Sequence, residues 1–582
     1  METESKTPKF DALLEKILDI LVPQEYECAQ KDVSKYCEKQ FKITDEDIKF
    51  YKKLKVPPPK CCPTCRRQRR FAFVNRINYY KRQNNAPGAE GKIVSYVSPV
   101  SPLTVYDLDY YRSAKWDPFS FSRIYNPNES FLGQFYDLRL KVPQYAIVRH
   151  PSSINSEYSL NGKNLKNGYL VSGGRDSENV WYSIFINNSR EIMDSQDTFN
   201  CEQCSEVVVA RNLNSCFSCY FTKDCINSRF LFDCKNCQDC FGCVNLHNKK
   251  YCFFNEQLSK EDYKEKVRLL GLESRSNLLK TQDHFWKYVK ENPVRATRSI
   301  NAVNSSGVLI INSKNCQHVT SCENGENERY VDMIMNDRDS MDVYAAGNSE
   351  MLYETSAVGA DCANVKFSFG SKRVTDSEFL INCHNCQYCF ACIGMENKSY
   401  CILNKLYEPE DYFKELDSIK FSLLAKGEYG ELFPVKFSPF AYNSSEADLS
   451  YPLDKEEVDK LGSFYQPETD VDTQGLDILQ AKESPDSIGE VADSILDKAL
   501  ICEKSGRPFR IIKSELEFYR KFKLPIPTIH PLLRMKNTFK YLGDNLVYRG
   551  KCRKCGIELD TIYKAEEGWN LHCEKCYQQE VY

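Results

Sequence analysis

From Asn164 to Asn248 an Asn or Asp recurs at every twelfth position: Asn164, Asp176, Asn188, Asn200, Asn212, Asp224, Asn236 and Asn248. Within each twelve, the residues one, four, seven and ten places later are almost all small or apolar. Successive sets read Leu165/Gly168/Val171/Gly174, Ser177/Val180/Ser183/Ile186, Ser189/Ile192/Ser195/Thr198 and Cys201/Cys204/Val207/Ala210. They continue as Leu213/Cys216/Cys219/Thr222, Cys225/Ser228/Leu231/Cys234 and Cys237/Cys240/Cys243/Leu246, with large or charged residues such as Trp181 and Arg190 between them. Neither helical spacing nor strand alternation gives an every-third pattern that closes at twelve. A β-solenoid does: each coil turns four small side chains toward a narrow axis, and coils stack one strand spacing, ~4.8 Å, apart. The Asn/Asp column is then expected to form a hydrogen-bonded ladder.

The pattern is duplicated. Phe230–Val267 returns as Phe379–Leu416, with Cys234, Cys237, Cys240, Cys243 and Cys252 matching Cys383, Cys386, Cys389, Cys392 and Cys401. The second region keeps the beat at Asn315, Asn327, Asp339, Asp361, Arg373, Asn385 and Asn397, with a slip near Asn348. The CxxC runs admit an iron–sulfur, another metal or a disulfide reading. The register favours buried packing thiols, because Cys shares its columns with Ser, Val, Ala, Leu and Thr. These core thiols are Cys201, Cys204, Cys216, Cys219, Cys225, Cys234, Cys237, Cys240 and Cys243, then Cys383, Cys386, Cys389 and Cys392. The spacing resembles the twelve-residue β-helix of insect antifreeze proteins. Their regular Thr-x-Thr face is missing here (Asn200/Glu202, Asn212/Asn214, Asn236/Gln238), so that activity does not carry over.

Both ends carry short cysteine pairs. Cys552/Cys555 and Cys573/Cys576 form CxxC…CxxC, four thiolates for one tetrahedral Zn²⁺ whose binding supplies the folding energy of so small a segment. Near the N-terminus, Cys37 and Cys62-Pro-Thr-Cys65 accompany Phe41, Phe50, Tyr51, Pro58, Pro59 and Arg66. This resembles small bacterial zinc ribbons of the CxxC…CPxCR type. The departure is Ser34 in the leading Cys position, for which Cys28 or Cys61 could substitute. Phe509–Arg534 aligns with Phe41–Arg66 but keeps only Cys502 and His530 of the four ligand positions, with Ser505 and Leu533 at the others, and is expected to be zinc-free. Tyr80–Tyr110 aligns with Tyr548–Cys576 without any cysteine. The two ends therefore read as copies of one double ribbon that retain different sites, about two zinc per chain. The whole layout resembles uncharacterised bacterial zinc-ribbon proteins with Cys-rich repeats, a resemblance that implies no activity.

The expected fold is mainly β: two β-solenoid segments with helical caps, flanked by small α+β zinc-ribbon modules. The segments are an amphipathic helix (1–27), a tandem ribbon module (28–111), a connector (112–155) that packs a helix onto the first coils, and solenoid 1 (156–256). A helical cap (257–300), solenoid 2 (301–405), a second cap (406–453), a flexible acidic linker (454–497) and the C-terminal ribbon module (498–582) follow.

Composition narrows the function. Net charge is −3 with seven His, no apolar run approaches a membrane span of ~20 residues, and no secretory pattern opens the chain, so a cytoplasmic protein is expected. No Walker A, GxGxxG, HExxH or GxSxG motif is present, which favours a non-enzymatic scaffold. Locally, Ile48–Ala89 holds no Asp or Glu but many cations, with Phe71, Phe73, Tyr79 and Tyr80 among them. Arg66, Arg67, Arg69, Arg70, Arg76, Lys81 and Arg82 are thus candidates for RNA or other nucleic-acid binding. The alternatives are a protein-partner scaffold using the solenoid faces and a polysaccharide-binding or -cleaving β-helix using Asp176, Asp194 and Asp197. No membrane partner is expected, and the oligomeric state is open.

Overall fold

The computed structural model of the protein describes residues 5–199, 208–211, 217–220, 224–467, 474–542 and 546–582. The architecture is mixed α/β, with an eight-stranded sheet between Ser159 and Phe232 and an eleven-stranded sheet between Ile300 and Leu406. In the larger sheet every strand pairs with its sequence neighbours, in parallel except for the last pair. The pairing register is the sequence period: Leu165 lies beside Ser177, Thr320 beside Asp332 and Cys389 beside Cys401. The expected slip is a thirteen-residue step, Leu352 beside Val365, and an eleven-residue step opens the sheet, Ala302 beside Ser313.

The period has a backbone cause. Left-handed residues recur every third position, as at Asn164, Asn167, Leu170, Gly173, Asp176 and Asn179. Asn, Asp and Gly tolerate that conformation better than other residues, which is why Asn and Asp mark the beat. The residue after each left-handed position turns inward: Leu165, Val171, Val180, Ser183, Ile186 and Ile192 are all at most 1 % exposed. The ladders form as expected: Asn164 donates to Asp176 at 2.6 Å, Asn236 to Asn248 at 3.0 Å, and Asn315 to Asn327 and Asn327 to Asp339 at 3.0 Å each.

The packing of these segments departs from chain order. One compact unit joins residues Met1–Asn75 and Tyr80–Ile147 to Thr297–Gln466, so the N-terminal ribbons accompany the second repeat region. The other joins Arg76–Tyr79, Val148–Ala296 and Pro467–Tyr582, placing the C-terminal ribbons with the first repeat region. The connector helix Phe131–Lys141 accordingly packs on the second region, Phe131 against Phe379 and Phe390 at 5.1 and 5.5 Å, and not on the first coils. Those two aromatic rings offer it an apolar seat.

The helices are more than caps. Helix Pro8–Asp19 buries Phe10, Leu14 and Leu18, and the Phe10 N–H donates to Asp417 of helix Pro409–Ala425 at 2.9 Å. Helix Arg275–Glu291 lays Phe285 against Phe230 at 5.6 Å. The acidic stretch 454–497 also differs from a flexible linker: Asp477–Gln480 pairs in parallel with Lys498–Ile501, and Ile488, Val491 and Ile495 are buried. These apolar residues, spaced three and four apart among acidic ones, seat the segment.

Candidate metal centres

In the N-terminal module, strands Gln24–Glu27 and Gln40–Ile43 pair antiparallel and lead into helix Asp45–Leu54. Thr44 and Asp47 form a reciprocal capping box at its start, and left-handed Lys55 ends it before the Pro57–Pro59 turn. Cys62 then caps helix Pro63–Phe71, with Pro63 in its first turn. These elements bring Cys28, Cys37, Cys62 and Cys65 together, with all four sulfur atoms within 4.8 Å of one another. Cys37 and Cys62 are 3.9 Å apart, close to the sulfur spacing that Zn–S bonds of about 2.3 Å give in a tetrahedron.

Cys28 is thus the fourth candidate ligand. Its N–H bonds to the Lys39 carbonyl, as that of Cys502 bonds to Arg507, and its sulfur accepts the Cys62 N–H at 3.2 Å, as that of Cys502 accepts the His530 N–H at 3.3 Å. Cys28, rather than Ser34, is therefore the counterpart of Cys502, and the knuckle has grown a longer loop. Ser34 instead donates to Gln68 at 2.9 Å. Cys61 is buried beside Glu431, 3.6 Å from its carboxylate, outside the tetrad.

At the C-terminus, Cys552, Cys555, Cys573 and Cys576 form the second tetrad, with Cys555 and Cys573 3.8 Å apart. Each tetrad holds one thiol lowered from the ordinary range. The Cys65 thiol donates to Cys62 and lowers it to about 6 against the effect of burial. Burial acts against ionisation of Cys552 too, but the backbone N–H groups of Cys555, Cys573 and Lys554 outweigh it and bring that thiol to about 6. Both sets could hold a metal ion, and four thiols are the donor chemistry of a closed zinc site.

The ribbon without cysteine keeps its frame. Tyr80–Gln83 pairs with Lys92–Ser95 just as Tyr548–Lys551 pairs with Glu558–Thr561. Asn84 and Asp107, aligned with Cys552 and Cys573, meet at 2.9 Å in a hydrogen bond across the ligand positions. Asp107 also occupies the N-cap position of its following helix, as Cys573 does, and there accepts the Tyr110 N–H.

The candidate nucleic-acid residues do not form a solvent-facing patch. Arg66 and Arg70, 1 % and 0 % exposed, reach Asp342 at 3.0 and 2.8 Å, and Arg69 reaches Glu354 at 3.1 Å and Glu431 at 3.2 Å. Arg67 pairs with Asp332 at 2.5 Å. Buried Arg82 donates to the Ser98 and Leu103 carbonyls, and buried Arg76 stacks over Phe185 at 4.8 Å. Of the seven, Lys81 is exposed. The carboxylates that claim these arginines lie hundreds of residues away, so the acid-free run from Ile48 to Ala89 could not reveal them.

The other module carries the same lock. Arg534, aligned with Arg66, reaches Asp194 at 3.0 Å and Glu515 at 3.3 Å and stacks 4.8 Å over Tyr182. Arg66 stacks 5.4 Å over Tyr330, and the Tyr330/Asp342 spacing repeats Tyr182/Asp194. This pairing takes Asp194 out of any exposed acidic groove, and Asp176 is held in the Asn ladder. The side chain of Asp197 lies outside the described residues.

The expected core thiols are buried where they are described. Cys225, Cys234, Cys237, Cys240, Cys243, Cys383, Cys386, Cys389 and Cys392 are not disulfide-linked and are at most 3 % exposed. Cys234 donates to the Cys243 carbonyl and Cys383 to the Cys392 carbonyl, at 3.4 and 3.3 Å, nine residues on. Ser313 makes the same bond to Cys322 at 3.4 Å. Burial pushes the Cys234 and Cys383 thiols well above the ordinary range. Cys201, Cys204 and Cys216, and the side chain of Cys219, lie outside the described residues.

No protein-family model matches the chain, and no curated protein matches it.

Proposed function

We propose that the protein is a non-enzymatic zinc scaffold: two tetrathiolate zinc ions fasten ribbon modules to β-solenoid segments whose faces receive a protein partner. Each twelve-residue step of the parallel sheets is read as one coil, and the chain keeps its resemblance to uncharacterised zinc-ribbon proteins as its family reading. The observation that carries the scaffold reading is the pair of equivalent locks, Arg66 on Asp342 and Arg534 on Asp194. Cations that could have met an external phosphate are used to fix the modules. Four thiols at each site leave no position assigned to substrate, as structural zinc requires. The free thiols suit the reducing cytosol.

The test is affinity purification of the tagged chain, with and without nuclease, followed by salt titration of any complex. Protein partners that survive nuclease support the reading. Nucleic acid that co-purifies and leaves steeply with salt would replace it with the RNA reading, carried by exposed lysines such as Lys49 and Lys81.

A further inference from the structure

The core of the eleven-stranded sheet contains two carboxyl groups where its other inward positions are small, apolar or hydroxylic. Glu328 is fully buried, and neither of its carboxylate oxygens has a hydrogen-bond partner. Asp337 is 2 % exposed; one oxygen accepts the Ser349 N–H at 2.7 Å and the other has no partner. Among the described residues no Lys, Arg or His pairs with either. The nearby cations are committed elsewhere: Arg329 to Asp47 at 2.8 Å and Arg338 to Glu350. An orphaned buried carboxylate costs several kcal/mol, and a native structure accounts for one by a bound proton, water or ion.

The surroundings favour an ion. Glu328 follows Cys316 by twelve residues, in the same inward column. The Cys316 and Cys322 sulfurs are 4.0 Å apart. Beside them Gly325 has no side chain, and the Cys322 sulfur packs where one would lie. A Cβ placed there would lie 2.4 Å from the Cys322 sulfur, 3.6 Å from that of Cys316 and 3.4 Å from Glu328 Cγ.

We infer that Cys316, Cys322, Glu328 and Asp337 form a third, internal metal site, taking one divalent transition-metal cation of the zinc class. Two thiolates balance the charge of such an ion and suit a borderline-soft metal, with carboxyl oxygens completing its shell, whereas an all-oxygen site would favour Mg²⁺ or Ca²⁺. The thiols release their protons on binding. The site differs from the ribbons in needing Glu328 to swing its carboxylate onto the sulfur pair, since only the two ribbon tetrads, among the described residues, already hold their donors within 4.8 Å.

Elemental mass spectrometry on the full chain, loaded with Zn²⁺ and desalted, tests this. Wild type is expected to hold about three ions, Glu328→Gln and Cys316→Ser about two, and a ribbon variant carrying Cys62→Ser and Cys576→Ser about one. Cys316→Ser is a safe second variant because Ser340 fills the same inward column and is fully buried. An unchanged metal content in Glu328→Gln and Cys316→Ser overturns the core site whatever the ribbons hold. Loss of metal in the ribbon variant alone supports the ribbon sites without it. If the ribbons are empty and the core is not, wild type holds one ion and Glu328→Gln none.

Discussion

Removing Arg534 should release the C-terminal module from its sheet. Among the described residues its guanidinium is the single cation against both Asp194 and Glu515, at 3.0 and 3.3 Å, with side chains that are 10 %, 9 % and 1 % exposed. Arg534→Met keeps the apolar stem over Tyr182 and leaves Asp194 and Glu515 without their cation, Glu515 retaining the Tyr182 and Tyr519 hydroxyls at 3.2 and 2.9 Å. Breaking a buried pair from one side costs roughly 3–5 kcal/mol. At about 1.4 kcal/mol per tenfold, the midpoint corresponds to roughly a thousandfold rise in opening. Hydrogen exchange resolves this locally, in strand Arg190–Met193 and helix Lys513–Phe522, where a global unfolding curve of a multi-unit chain would not. The effect also has a pH sign. Burial raises Asp194 and Glu515 in the folded state even with Arg534 present. A carboxyl whose folded value is raised favours the folded state at low pH, and that advantage is lost as pH rises from the unfolded value through the folded one. The Arg534→Met deficit should therefore shrink as pH falls from 7 toward 5. The combination with Asp194→Asn and Glu515→Gln should recover most of the protection at neutral pH. Exchange within threefold of wild type in the single variant would refute the lock.

Loss of Cys573 should release one metal ion and unfold the hairpin Tyr548–Thr561, read as lost amide protection there with the first tetrad intact. Asn327→Ala should cost about 1–2 kcal/mol in thermal unfolding, because it removes two ladder bonds and puts a Cβ-bearing residue without local hydrogen bonds at a φ of 56°. Gly307→Ala should disorder the start of the eleven-stranded sheet, since a Cβ at its φ of +117° would fall 2.1 Å from the Val319 carbonyl oxygen; exchange across residues 300–320 reports it. Glu378 accepts from Lys420 and Tyr429 at 2.8 and 2.9 Å, and despite burial Lys420 and Lys366 hold it at about 2. Its contribution should be complete above pH 4.5 and disappear as pH falls through about 2, a loss that Glu378→Gln abolishes in acid titration followed by circular dichroism.

What the sequence made legible was local and periodic. Inward positions such as Val180 and Ser183 could be read because every third residue must be small to fit a narrow core, and most of the two cysteine tetrads because CxxC pairs bring their own turns. The pairing of first ribbon with second repeat could not be read, because nothing near Phe131 states that Phe379 is its seat. The same limit misplaced the basic residues: Arg66 and Arg70 form an exposed cationic run in sequence and a buried network once Asp342 and Glu354 arrive. Cys28 was ambiguous because its loop had lengthened, and only the shared backbone bonds to Lys39 and Arg507 reveal its counterpart. Glu328 was hidden by register, as one of three acidic letters, with Glu323 and Glu326, among Asn, Gly and Arg.

X-ray absorption at the zinc edge of the Glu328→Gln chain addresses the metal-fastened ribbons most directly. Four sulfur neighbours at about 2.3 Å per zinc are predicted, with Cys28 among them, so that Cys28→Ser lowers the mean sulfur count. A first shell dominated by oxygen or nitrogen, or a sulfur count unmoved by Cys28→Ser, would contradict the account.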